Sequence, residues 1–136
     1  MKLSLYYFIK INFTMQESYS FLIVESSLAA RVIIRSQFLD LGHRLDIAWD
    51  FESAMEYVGS KLYDLILIDS ALDQRTLLIQ KIKKIWRIGK QTPIIGLSSY
   101  EDYALDGKKK ELFFHKPFTK KDVAKIIEFI KNFKNE

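Results

Sequence analysis

Four short apolar runs in this 136-residue chain end on residues suited to phosphoryl chemistry. Glu25 and Ser26 follow Phe21–Val24, and Asp69 follows Leu65–Ile68. Ser98 and Ser99 follow Ile94–Leu97, while His115, Lys116 and Pro117 follow Phe113 and Phe114. An aspartate can act as a nucleophile toward phosphorus. The charge that builds up there calls for a hard cation, held by one or two carboxylates together with the phosphate. A lysine meets phosphoryl oxygens as a mobile point charge, and a serine hydroxyl can hydrogen-bond the same oxygens. Positioning and electrostatics carry most of such a reaction. Polar residues end many strands without doing chemistry, so the weight lies in their coincidence at the ends of four runs.

The segments between these runs predict how the residues are positioned. The spacing predicts a helix from Ser27 to about Leu41, with Leu28, Val32, Ile33 and Leu39 on its apolar face and Gly42 as the terminating glycine. Leu45–Trp49 reads as a second strand. Phe51–Ser60 reads as a helix capped by Asp50, with Ala54, Met55 and Val58 on one side. Leu77–Arg87 reads as a helix that can pack through Leu78, Ile82, Ile85 and Trp86. Pro93–Leu97 and Leu112–Phe114 read as strands, and residues 100–110 as a short helix or helical turn. The last helix, Thr119–Phe133, opens on a Thr119/Asp122 capping-box spacing. It aligns Val123, Ile126, Ile127, Ile130 and Phe133. Strands without in/out alternation are buried on both faces. With right-handed crossovers, the β-α alternation predicts an α/β fold: a doubly wound, five-stranded parallel sheet in a (βα)5 three-layer sandwich. In such sheets ligands gather beyond the carboxyl ends of the strands, which is where the polar residues stand.

Composition limits the alternatives. Apolar residues make up 49% of the chain and charged residues 28%, enough for one domain with a real core. The chain contains no cysteine, which excludes disulfides, thiolate zinc sites and a cysteine nucleophile. His43 and His115 are the two histidines, too few for a histidine-rich metal site. Apolar runs reach about seven residues, too short to span a bilayer. The net charge of +4 is concentrated at the C-terminal end, where residues 108–136 hold nine lysines against four acids. These lysines are read as a solvated face, since no nucleic-acid-binding motif accompanies them. Residues 1–19 read as an N-terminal extension, either an added strand or arm or a mis-started stretch, with translation beginning at Met15. Residues 20–136 read as the folded domain. A flavin-binding reading would need a glycine-bearing phosphate loop after the first strand, and the stretch from Glu25 to Ala29 has no glycine.

The segments FLIVES (21–26), YDLILIDSALD (63–73), TPIIGLSS (92–99) and FFHKPF (113–118) resemble the receiver domain of two-component response regulators, a flavodoxin-like fold of the chemotaxis type. The resemblance spans about residues 20–134. It implies that Asp69 is the phosphoacceptor, that Ser98 takes the switch hydroxyl position and that Lys116 takes the position of the family's lysine. Phe113 falls at the family's rotating aromatic, and the Lys116–Pro117 peptide is expected to be cis. The implied metal is Mg²⁺, held by Glu25, Asp69 and the backbone carbonyl of Ala71. The implied partners are a histidine kinase or phosphotransfer protein and a downstream protein that reads the face made by the fourth helix, fifth strand and fifth helix. The resemblance implies an interaction protein and not an enzyme, located in the cytoplasm, with no membrane partner.

Three departures from the family pattern stand out. The usual acidic pair reads Glu25-Ser26, so the residue that normally touches the metal is neutral and weaker Mg²⁺ binding is expected. Leu72 and Asp73 replace the usual Met-Pro turn, with no glycine after them. The interval from Ser98 to Lys116 is about one helical turn short, so the fourth helix is expected to be truncated. Two readings follow. In one, the chain is a single-domain receiver phosphorylated on Asp69 in a phosphorelay. In the other, it is a degenerate receiver that acts as a phosphorylation-independent interaction module. Ser26 is expected to start the first helix, and Trp49 and Trp86 to serve packing.

Overall fold

The computed structural model describes residues 18–39, 41–85, 92–98, 113–115 and 119–134, with residues 98 and 113–115 described by their backbone. Along the chain these form β1 (Ser20–Val24), α1 (Leu28–Leu39), β2 (Arg44–Ala48), α2 (Phe51–Ser60), β3 (Leu65–Asp69), α3 (Arg75–Ile85), β4 (Ile94–Ser98), β5 (Phe113–His115) and α4 (Lys120–Lys134). The strands lie in the order β2-β1-β3-β4-β5, and every neighbouring pair is parallel. The expected α/β class with a parallel sheet is borne out. The expected helix over 100–110, and with it the full five-fold alternation, lies outside the described residues, as does the extension over residues 1–17.

The chain leaves β1 toward one edge, forms β2 there, and returns past β1 to form β3 on its other side. In open parallel sheets such a reversal is where a crevice forms, here beyond the carboxyl ends of β1 and β3. Register places Val24 beside Ile68 and Asp69 beside Leu97, so Glu25 and Asp69 emerge on adjacent strands at the same edge.

Two apolar layers sandwich the sheet. Phe21, Ile23, Leu65, Leu67, Ile95 and Leu97 point to one face and pack against Ile34 and Phe38 of α1 and Val123, Ile126 and Ile130 of α4. Leu22, Val24, Ile66 and Ile68 point to the other face and meet Ala54 and Val58 of α2 and Leu78 and Ile82 of α3. Each central strand is therefore apolar on both sides, which explains the missing alternation.

Local signals at the helix ends hold. The Asp50 side chain accepts from the Ser53 N–H at 2.8 Å, and the Ser53 hydroxyl accepts from the Asp50 N–H at 3.1 Å, closing a reciprocal cap on α2. Thr119 and Asp122 form the same arrangement on α4: Thr119 N–H donates to Asp122 Oδ2 at 2.8 Å, and Asp122 N–H to Thr119 Oγ1 at 3.3 Å. Gly42 takes φ +76°, the left-handed conformation that lets α1 turn into β2.

The inward faces of the helices depart from expectation in two places. On α1 the side chains expected to be inside are outside: Leu28 is 68% exposed and Val32 60%, with Ile33 and Leu39 also exposed, while Ile34 and Phe38 are fully buried. Apolar residues surround this helix, so the crossover from β1 to β2, and not the local pattern, selects which of them meets the sheet. On α3, Leu78 and Ile82 pack as expected, but Ile85 in the last turn is exposed. Trp86 lies outside the described residues. Among the described residues no helix is long and apolar enough to cross a membrane.

Candidate functional site

Asp69 is the last residue of β3 and is only 3% exposed. The next turn is built around it. Ala71 N–H donates to Asp69 Oδ1 at 3.1 Å, Leu72 N–H to the Asp69 carbonyl at 3.1 Å, and Ser70 N–H to the Leu97 carbonyl at 2.7 Å. Gln74 adopts φ +63°, the left-handed conformation, as the turn gives way to α3. No glycine follows Asp69 here, so a residue with a side chain carries that conformation. Asp73 is exposed.

Glu25 follows β1 and is fully buried. Its backbone N–H extends the sheet by donating to the Ala48 carbonyl at 2.9 Å. Its side chain turns toward the start of α1, where Oε2 accepts from the Ser27 N–H at 2.9 Å. A carboxylate at this point satisfies one of the helix's orphan donors. Ser27 caps the helix, its hydroxyl accepting from the Ala30 N–H at 3.3 Å.

Ser26 plays a different part from the one expected. Ser27 provides the helix cap, and the Ser26 hydroxyl instead reaches across to β3, donating to Asp69 Oδ2 at 3.4 Å. Both Asp69 oxygens therefore accept hydrogen bonds from the protein: Oδ1 from the following turn and Oδ2 from the turn after β1.

Arg31 escaped the sequence reading altogether. From the first turns of α1 its Nη1 donates to the carbonyls of Glu25 and Ser26, each at 2.9 Å. One guanidinium thus bridges two successive peptide groups of the turn that carries Ser26. The sequence signal was present only as a cation five residues after Ser26, and patterns of that kind occur on many solvated helices.

Trp49, expected in packing, is 54% exposed immediately after β2. Its N–H donates to the Ser53 hydroxyl at 3.0 Å, so its backbone belongs to the α2 cap.

The structure therefore brings Ser26, Asp69 and Ala71 into contact, with Glu25 adjoining them in the chain. Ser98 ends β4, its backbone in register with His115. Its side chain, those of Phe113 and His115, and all of Lys116 and Pro117 lie outside what is described.

Of the residues expected to hold a cation, Asp69 and Ala71 share the turn after β3, and Glu25, whose Oε2 accepts from the Ser27 N–H, precedes the Ser26 that touches Asp69. Mg²⁺ is commonly bound through one or two carboxylates plus substrate phosphate oxygens, and the carboxylates here are Asp69 and Glu25. Among the described residues there is no group of three or more Asp, Glu, His or Cys side chains that could hold a metal ion.

No family model matches the chain. The transcriptional regulatory protein DltR of Streptococcus agalactiae is 35% identical over 78 residues, which is 57% of this chain and 34% of DltR. The matching region thus spans about a third of that relative's length. A CheY-like response regulator receiver domain from Methylobacillus flagellatus superposes with a TM-score of 0.70 at 20% identity, covering 84% of this chain and 99% of that one. The receiver domain of a sensor histidine kinase from Pseudomonas aeruginosa, with a magnesium ion coordinated in its active-site cleft, gives a TM-score of 0.66 at 22% identity over 83% of this chain and 97% of that one. The chain has the fold of response regulator receiver domains and resembles them over most of its described length.

Proposed function

We propose that this chain is a receiver domain that accepts a phosphoryl group on Asp69 and passes the signal on by binding another protein. The observation that carries the reading is the place of Asp69. It is a buried carboxylate at the reversal point of a parallel sheet, with the Glu25-Ser26 turn across the crevice. An Asp69 oxygen attacks phosphorus, the bond from phosphorus to the donor's imidazole nitrogen breaks, and the electron pair stays on that nitrogen. The donor on this reading is a histidine kinase or a phosphotransfer protein in the cytoplasm. Lys116 pairs with the phosphoryl oxygens, Ser98 hydrogen-bonds them, and the output partner reads the face around β5 and α4 in a complete (βα)5 domain. Asp69 and the Ala71 carbonyl, supported by Glu25, would hold Mg²⁺. When bound, the cation supplies charge neutralisation at the phosphoryl group.

The experiment is intact mass spectrometry after incubation with acetyl phosphate, with and without excess Mg²⁺, alongside Asp69→Asn. A phosphoryl adduct on the wild type that is absent from the variant is expected. A folded wild type that takes no phosphoryl group at any metal concentration overturns the reading.

One observation favours a second reading. At the β1 turn it is the hydroxyl of Ser26, and not an acid, that touches Asp69, while a Glu25 oxygen is engaged at the start of α1. A pocket so arranged suits a degenerate receiver whose partner binds the unmodified domain. The same experiment separates the two, since this reading expects no adduct.

A further inference from the structure

We propose that Arg31 and Ser26 form a positioning relay, in which Arg31 holds the turn after β1 and Ser26, so held, aims the Asp69 carboxylate. The proposal rests on the reading of Asp69 as phosphoacceptor. It adds Arg31, which the resemblance does not supply, and gives Ser26 a role other than that of the acid it replaces.

The argument runs from the helix inward. A turn leaving a parallel strand carries carbonyl groups with no ladder partner, and such groups need donors. Here both are met by one nitrogen of Arg31, at 2.9 Å to each of the Glu25 and Ser26 carbonyls. A planar guanidinium holds two acceptors with less freedom than an ammonium would. The Ser26 peptide is thereby fixed from its carbonyl side, and its N-terminal neighbour is fixed by the Glu25 N–H bond to Ala48. A serine side chain on a fixed backbone chooses among a few staggered rotamers whose directions are then set. In the one it takes, its hydroxyl meets Asp69 Oδ2 at 3.4 Å. That distance is long for a hydroxyl–carboxylate bond. Hydrogen bonds in sites without substrate often run long and tighten in the reacting complex. Ala71 N–H donates to the other oxygen at 3.1 Å, so each carboxylate oxygen has a donor, one from the turn after β1 and one from the turn after β3.

The test is a double-mutant cycle on the full chain. Ser26→Ala, Arg31→Ala and the double variant are compared for the rate of acetyl phosphate-driven adduct formation at saturating Mg²⁺. In that reaction an Asp69 oxygen bonds phosphorus, and acetate leaves with the electron pair of the broken P–O bond. A carboxylate no longer held on the Ser26 side spends less time in attacking geometry, and Ser26→Ala is expected to react about tenfold more slowly. Ser26→Thr, which keeps the hydroxyl, is expected within about twofold of wild type. Arg31→Ala is expected to slow the reaction similarly, and the double variant to be no slower than about twofold below the worse single, because the two act in series. Circular dichroism checks that each variant is folded. A Ser26→Ala rate equal to wild type, or multiplicative effects in the double variant, overturns the relay and leaves the receiver reading standing.

A second readout needs no phosphoryl transfer. The Ala71 amide proton, bonded to Asp69 Oδ1, reports the carboxylate's placement by NMR. It is expected to shift in Ser26→Ala and in Arg31→Ala, and no further in the double variant. If the wild type takes no phosphoryl group, the receiver reading falls and this resonance still decides the relay. An unmoved Ala71 amide in Ser26→Ala overturns it.

Discussion

The backbone N–H of Tyr19 donates to Nδ1 of His43 at 3.1 Å, joining the residue before β1 to the turn before β2. The two rings stack with centroids 5.7 Å apart, and Phe21 meets the imidazole edge-on at 5.6 Å. Nδ1 must therefore be an unprotonated acceptor, which leaves any ring proton on Nε2. Burial holds the imidazole below its usual value of 6.5; the Asp64 carboxylate opposes this and Lys131 reinforces it. The folded state thus binds a proton on His43 less readily than the unfolded chain does, and stability rises with pH wherever the unfolded state holds more protons. The contribution is fully present above about pH 6.5 and is lost as the pH falls from there through the lower folded-state value. Urea unfolding is expected to show a lower midpoint at pH 5.5 than at pH 7.5. In His43→Asn, which keeps an acceptor and removes the titration, the difference should shrink. An equal drop in that variant would assign the effect elsewhere.

A second titrating cluster sits on the edge strand. Tyr63 Oη donates to Asp46 Oδ2 at 2.7 Å, and Lys61 Nζ reaches the same oxygen at 3.0 Å. Burial pushes the Asp46 carboxyl up, but the bonds from Tyr63 and Lys61, with the Lys61 charge, outweigh it and hold the carboxyl below its usual range. Burial and the adjoining carboxylate push the Tyr63 phenol well above its ordinary value. Tyr63→Phe is expected to cost about 1 kcal/mol at pH 7, the size of one such bond on a partly solvated acceptor. A depressed carboxyl stabilises above its unfolded value and loses that contribution as pH falls through the folded one. The difference between Tyr63→Phe and wild type should therefore narrow at pH 3, read by urea unfolding at both pH values.

The orientation of α1 makes a paired prediction. Phe38 is fully buried and meets the Phe21 ring at 4.8 Å. Phe38→Ala should cost about 3–5 kcal/mol. Leu28 is exposed on the same helix, and Leu28→Ser should stay within about 0.5 kcal/mol of wild type. Chemical unfolding of both variants checks this. Comparable losses would mean that α1 is rotated relative to the sheet.

Gly42 tests the turn by conformation alone. Its φ is +76°, and a Cβ added there meets nothing within 4 Å. Gly42→Ala should therefore cost about 1–2 kcal/mol, the penalty of a left-handed L-residue with no steric clash added. Gly42→Asn, which tolerates that region better, should cost less in the same unfolding measurement.

The order of the described elements, and their ends to within about two residues, are legible in the chain, as is the row of polar residues at the carboxyl ends of its strands. Those properties are local: a run of apolar residues, an Asp50 or Thr119 cap, a glycine after a helix, an aspartate where β3 stops. The capping partners proved to be the residues three places on, because a cap is made within one turn of chain. What depends on contacts across the sheet emerges only in the folded chain. Which face of α1 goes inside could not be read from a helix apolar on several sides. The sheet chose Ile34 and Phe38 because the crossover from β1 brings that side down. Ser26 looked like the start of a helix because its partner, Asp69, lies 43 residues away and is reached only once β1 and β3 pair. Arg31 carries no distinctive sequence signal because its acceptors are backbone carbonyls, which any residue supplies and no side-chain pattern marks.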